Sequence, residues 1–136
     1  MALLITHYAD PGAFYARVED FLMAHEIEHN LILSLARGLK LHPERSEQPP
    51  YLAAVESDGA VVLAALMTSP RGLILSRCAD DAALEVLARH LRNFHPDLPA
   101  VQGANPLAAA FAERWMLLTG VWAEVYMQQR FYQLTG

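Results

Sequence analysis

The sequence has little lysine, little cysteine and little charge. Lys40 is the single lysine beside nine arginines, against fifteen acidic residues, and the formal net charge is −5. No basic run stands out, so nucleic acid, whose phosphates call for a positive patch, is not an expected partner. Cys78 stands alone, which leaves no internal disulfide to form and points to a reducing compartment, the cytoplasm. The opening MALLITHYADP lacks a basic start, and its apolar run is too short for a signal peptide. No apolar stretch approaches the roughly 20 residues of a membrane helix, so no membrane contact is expected. Charged residues make up 18% and apolar residues 54%, a balance that disfavours intrinsic disorder. A length of 136 residues fits one domain, read as 1–136.

What is present is a clear succession of hydrophobic periods. Met1 to His7 predicts a strand. Asp10-Pro11 opens a helix, with Asp10 as N-cap and Pro11 at the first helical position. Phe14, Val18, Phe21 and Leu22 recur at helical spacing, and the pattern runs on through Ile27, Leu31, Ile32, Leu35 and Leu39. That span is too long for one ordinary helix, so a break near His25 is expected, with Gly38 as the stop. HPERSEQPP, from His42 to Pro50, is a polar loop. Strands follow at Tyr51–Glu56 and Ala60–Thr68, joined by the tight turn Asp58-Gly59. The second is almost all apolar, as for a strand covered on both faces. Leu73–Arg77 is a third strand of this run. Asp80 caps a helix with Leu84, Leu87, Ala88 and Leu91 inward. Ala100–Gly103 is a short strand, and Asn105-Pro106 caps a helix that Gly120 ends. Val121 to Leu134 alternates with period two and reads as one long strand with one buried face. The order is β-α-α-β-β-β-α-β-α-β, which predicts an α/β (α+β) fold: a mixed, mostly antiparallel central sheet flanked by helices.

Two segments carry potential chemistry. His25-Glu26-Ile27-Glu28-His29 fits H-E-x-x-H, in which two histidines at i and i+4 of a helix share a zinc ion and the glutamate is general base. No third ligand follows in sequence, and His42, Glu44 and Glu47 lie in a loop. No metal is therefore expected, with His25 and His29 the weak candidates of a zinc-hydrolase alternative. The second segment is Ser76-Arg77-Cys78-Ala79-Asp80-Asp81-Ala82-Ala83. A helix N-terminus after a strand binds phosphate when glycines bring backbone N–H groups close. This turn has no glycine and carries two carboxylates, Asp80 and Asp81. Arg77 offsets one charge without supplying a backbone cradle. Cys78 lies beside Arg77 but has no evident histidine base, and it reads as a small packed residue.

The element order and several local sequences resemble the GNAT acetyltransferase superfamily. Glu26 to Leu39 (EIEHNLILSLARGL) is similar to an "E…N-L-hydrophobic" helix of a bacterial GNAT subfamily. Tyr51 to Val55 with Asp58-Gly59 resembles its first hairpin. Leu66 to Pro70 and Leu73 to Ser76 resemble its "T-P-P … L-h-L-S" segment, and Met127 to Leu134 resembles "M-x-Q-R-h-Y-x-L". The resemblance implies a degenerate N-terminal GNAT-like domain of a two-domain N-acetyltransferase that moves acetyl from acetyl-CoA to an amine. The parent protein would be the enzyme and would hold acetyl-CoA. This chain, with Arg77, Cys78, Asp80 and Asp81 in a degenerate loop, is expected to bind no cofactor alone. Glu26, His29 and Asn30, near the helix junction, are the expected acceptor-cleft residues. The family's closing strand is absent from the expected order, and the sequence stops at FYQLTG inside a strand. That predicts a piece of a longer protein whose last strand pairs with a missing C-terminal GNAT domain or a second copy of the chain. Tyr126, Gln128, Arg130 and Tyr132 are the expected interface. A non-catalytic GNAT-fold interaction or dimerisation module is the alternative.

Overall fold

The computed structural model describes residues 3–42, 48–68, 72–103, 107–120, 122–125 and 131–135. The chain begins with β1 (Leu3–His7), α1 (Pro11–Met23) and α2 (Asn30–Leu41). A hairpin of β2 (Tyr51–Ser57) and β3 (Ala60–Met67) follows, then β4 (Leu73–Leu75), α3 (Ala82–Phe94) and β5 (Ala100–Gln102). α4 (Leu107–Thr119), β6 (Trp122–Val125) and β7 (Phe131–Thr135) complete the described elements. The strands form one sheet in the order β1-β2-β3-β4-β5-β7-β6. β4 and β5 run parallel, and the other neighbouring pairs run antiparallel. This is the expected mixed, mostly antiparallel sheet flanked by helices.

Local chemistry explains most of the boundaries. The Asp10 carboxylate accepts hydrogen bonds from the N–H groups of Gly12 (3.2 Å) and Ala13 (3.3 Å), satisfying two orphan donors of the first turn of α1. Asp58 and Gly59 both take positive φ, 52° and 83°, the requirement of the tight hairpin turn between β2 and β3. A bulge follows at once: Val55 faces Leu63 but Glu56 faces Val61. Beyond it Glu56 pairs with Arg17 of α1, whose guanidinium also donates to the Gly59 carbonyl at 2.7 Å. Gly120 closes α4 with φ 78°, and its N–H donates to the Met116 carbonyl at 2.8 Å.

Strand alternation divides the core between the two faces of the sheet. Leu52, Ala54, Ala64, Leu66 and Ile74 point toward α1 and α2 and pack with Phe14, Val18, Leu22 and Ile32. Tyr51, Ala53, Leu63, Ala65 and Leu75 point the other way, against Leu84, Leu87 and Leu91 of α3 and Phe111 and Trp115 of α4. β3 is consequently buried from Val62 to Met67.

Three expectations need correction. Gly38 does not stop α2, which runs to Leu41 and is capped by His42. The position is open, with nothing within 4 Å of an added Cβ, so the glycine simply rides along the helix. The H-E-x-x-H segment is not helical throughout: α1 ends at Met23, α2 starts at Asn30, and residues 24–29 form turns between them. The stretch from Val121 to Leu134 is not one strand. β6 and β7 pair antiparallel with each other, Trp122 opposite Thr135 and Val125 opposite Tyr132. β7 also pairs with β5, so it is interior, and β6 forms the edge on that side. Each half of the segment keeps period two, and pairing one half with the other covers the ladder a single strand would leave open.

Candidate functional site

The parallel pair β4 and β5 positions the site. A sheet crevice forms outside the carboxyl ends of such strands, where the connectivity changes direction. Here the β4–β5 ladder runs through Leu73 opposite Val101 and Ile74 opposite Gln102. The two strands approach closely where they enter: a Cβ on Gly72 would lie 2.7 Å from the Ala100 carbonyl oxygen and 2.8 Å from its Cβ. Past the ladder, at the carboxyl ends, lies a cleft of about 300 Å³. Ile74 and Leu75 of β4, Gln102 and Gly103 at the end of β5, and Arg77 form one side. The turn residues Ile27, Glu28 and His29, with Leu31 and Ile32 of α2, form the other. The volume sits at the small end of ligand-sized clefts. Its walls mix five aliphatic side chains with the polar groups of Glu28, His29, Arg77 and Gln102, and Ile27 is 94% exposed at the lip. At the mouth Arg77 Nε donates to Glu28 Oε2 at 3.0 Å.

His29 joins the two sides. It is 2% exposed, and both ring nitrogens are committed to backbone. Nδ1 lies 2.8 Å from the Leu22 carbonyl oxygen, and Nε2 lies 2.9 Å from the Arg77 amide nitrogen. An amide only donates and a carbonyl only accepts, so these partners assign the neutral tautomer with hydrogen on Nδ1. The end of α1 is thereby tied, through one imidazole, to the chain just after β4.

That commitment undoes the zinc constellation. A metal at either nitrogen of His29 would displace a buried backbone partner. His25 is exposed, with its ring centroid 6.3 Å from that of His29 and nearly perpendicular to it. His42 sits beyond the far end of α2, about 20 Å away at 1.5 Å per residue. Glu44 and Glu47 lie outside the described residues. Among the described residues no group of three or more His, Cys, Asp or Glu is placed to hold a metal ion.

Between β4 and the start of α3, five amides are spent internally. Ser76 N–H donates to the Ala64 carbonyl at 2.9 Å, while Ser76 Oγ accepts from Ala64 N–H at 2.7 Å. Arg77 N–H goes to His29, and Ala79 N–H goes to the Val62 carbonyl at 2.9 Å. Ala82 N–H donates to Asp80 Oδ1 at 3.0 Å, and Ala83 N–H to the Asp80 carbonyl at 2.9 Å. Asp80 is therefore the working cap of α3, whereas the Asp81 side chain makes no cap bond. Burial pushes the Cys78 thiol up from its ordinary range, and Cys78 Sγ donates to the Asp80 carbonyl at 3.0 Å. That is the opposite of an activated thiolate. An anion arriving at this helix N-terminus meets committed donors and two carboxylates.

Of the expected cleft residues, His29 lines the cleft, whereas Glu26 on the turn and Asn30 at the start of α2 are exposed and do not. Glu28, Ile27, Gln102 and Gly103 were missed. The β-α-β signal around α3 predicts a parallel pair, and its carboxyl ends would have pointed to Gln102-Gly103. Of the expected interface residues, Tyr126, Gln128 and Arg130 lie outside the described residues, and Tyr132 holds a register position in interior β7 opposite Val101. No described helix is long and apolar enough to cross a membrane. Compared with known proteins, the chain matches no family model, no curated sequence and no solved structure.

Proposed function

We propose that this chain is a degenerate GNAT-like domain that serves an acetyl-CoA-dependent N-acetyltransferase of the cytoplasm. It supplies scaffold and an acceptor-side cleft, while acetyl-CoA binds on a second GNAT domain with an intact phosphate loop. Element order and local sequence support the family reading. The observation that carries the division of labour is the β4–α3 turn, whose amides at Ser76, Arg77, Ala79, Ala82 and Ala83 are all engaged within the protein. A pyrophosphate needs such amides free and needs no carboxylate beside them. The cleft next to the turn remains open, and its aliphatic residues suit the carbon skeleton of an amine beside the polar groups of Glu28, Arg77 and Gln102. In such a reaction a base removes a proton from the acceptor amine. The amine nitrogen then attacks the thioester carbonyl, backbone N–H groups hold the oxyanion, and the CoA thiolate leaves.

The same spent amides also favour a second reading, a GNAT-shaped module that binds a partner without catalysis. The coding sequence downstream of Gly136 separates the two. A Q/R-x-x-G-x-G/A strand–loop–helix there supports the acetyltransferase, and a stop codon supports the module.

A further inference from the structure

A cluster of rings lies on the α3 side of the sheet, apart from the cleft and unused by the proposed chemistry. His7 is the last residue of β1, an edge strand whose one neighbour is β2. Its ring packs at centroid distances of 4.7 Å from Phe94, 5.0 Å from Tyr51 and 5.6 Å from His90. His90 stacks on Phe94 at 4.7 Å, one helical turn along α3, and His95 approaches Tyr51 at 5.8 Å. Tyr51 is buried, and its hydroxyl lies 2.8 Å from His90 Nδ1. Desolvation raises the Tyr51 pKa, so the phenol stays protonated and donates to an unprotonated Nδ1.

We infer that His7, Tyr51, His90 and His95 form a pH-sensitive clasp that pins β1 to the sheet and to α3 and that opens locally as His7 and His90 take up protons. Apart from the clasp, β1 is held by its ladder with β2 on one side only, continued by the Tyr8 N–H to the Leu52 carbonyl at 2.7 Å. Leu3 and Ile5 are only partly buried against the core, and Leu4 points to solvent. The titratable groups facing the cluster are His7 from β1, Tyr51 from β2, and His90 and His95 from α3 and its C-cap. Among the described residues no carboxylate acts on His7 or His90 to compensate a positive charge. His7 is lowered by burial and then by His95, and His90 by burial and then by His7. A proton on His90 Nδ1 would also remove the acceptor that the buried Tyr51 hydroxyl uses.

The sign follows from linkage. Detached, His7 and His90 take their protons near the ordinary imidazole pH of about 6.5; in the clasp they take them at lower pH. The clasp is therefore fully closed above about pH 6.5 and weakens as pH falls toward the clasped values. Hydrogen exchange of the β1 amides, normalised to intrinsic rates, tests this on the whole chain. Between pH 7.5 and 5.5, protection at Thr6 and Tyr8, whose amides face β2, is expected to fall while protection in α1 holds. His7→Phe, which keeps a ring in place and leaves His90 to titrate, is expected to reduce that fall. His90→Gln, which keeps an acceptor for Tyr51, is expected to reduce it. Unchanged β1 protection across this range, or an equal fall in wild type and His7→Phe, would overturn the proposal.

Discussion

At the scale of single residues, His29 shows how a side chain can be flagged correctly for the wrong chemistry. The sequence places it in H-E-x-x-H, where an unshared imidazole lone pair would be the point. In the structure Nε2 accepts from the Arg77 amide and Nδ1 donates to the Leu22 carbonyl. Nothing in the local sequence reveals these partners, because Arg77 lies 48 residues away. Replacing His29 by Ala strands a buried donor and a buried acceptor, each worth about 1–3 kcal/mol when unsatisfied. We expect His29→Ala to lower stability by about 2–4 kcal/mol in urea unfolding. A loss below about 0.5 kcal/mol, the range of an ordinary surface change, would mean that the imidazole does not bridge these groups. Asp10 illustrates the opposite case. Its cap was legible because the carboxylate acts within three residues of its own position.

At the scale of elements, helices and the first hairpin were legible because their signals are local. Asp10-Pro11, Asp58-Gly59 and Gly120 each encode a conformation by their own stereochemistry. Gly38 misled because a glycine after an apolar stripe reads as a C-cap, yet Leu39 continues the buried face of α2. Since that site is helical and open, Gly38→Ala is expected to stabilise the protein by about 0.5–1 kcal/mol, read as a higher melting temperature. A destabilised variant would contradict the continuous helix. The β6–β7 pair was illegible for a different reason. Period-two alternation is the same whether a stretch is one strand or two strands facing each other, and only pairing decides. Gly72 marks the tightest approach of β4 to β5, where an added Cβ would meet Ala100 backbone atoms at 2.7 and 2.9 Å. Gly72→Ala is expected to cost about 1–3 kcal/mol, because backbone cannot give way as a side-chain tip can. Denaturant melts that leave this variant as stable as the parent would show that the two strands are not so closely held.

At the scale of the whole molecule, the sheet separates two helical layers, α1 and α2 on one face and α3 and α4 on the other. His29 crosses from the first layer to the end of β4, and the cleft opens beside that crossing. The sequence made this layering readable through the apolar run of β3, which needs cover on both faces. It did not make the cleft readable, because the lining residues come from a turn, a helix start and two strand ends far apart in the chain. The cleft stays open beside a phosphate turn whose Ser76, Arg77, Ala79, Ala82 and Ala83 amides are held by internal hydrogen bonds. The most direct test is a titration of the chain with acetyl-CoA, followed amide by amide by nuclear magnetic resonance. The amides from Ser76 to Leu84 are expected to keep their positions at every ligand concentration. Saturable shifts concentrated on Arg77, Ala79, Ala82 and Ala83 would contradict it, since those N–H groups would then be serving a pyrophosphate.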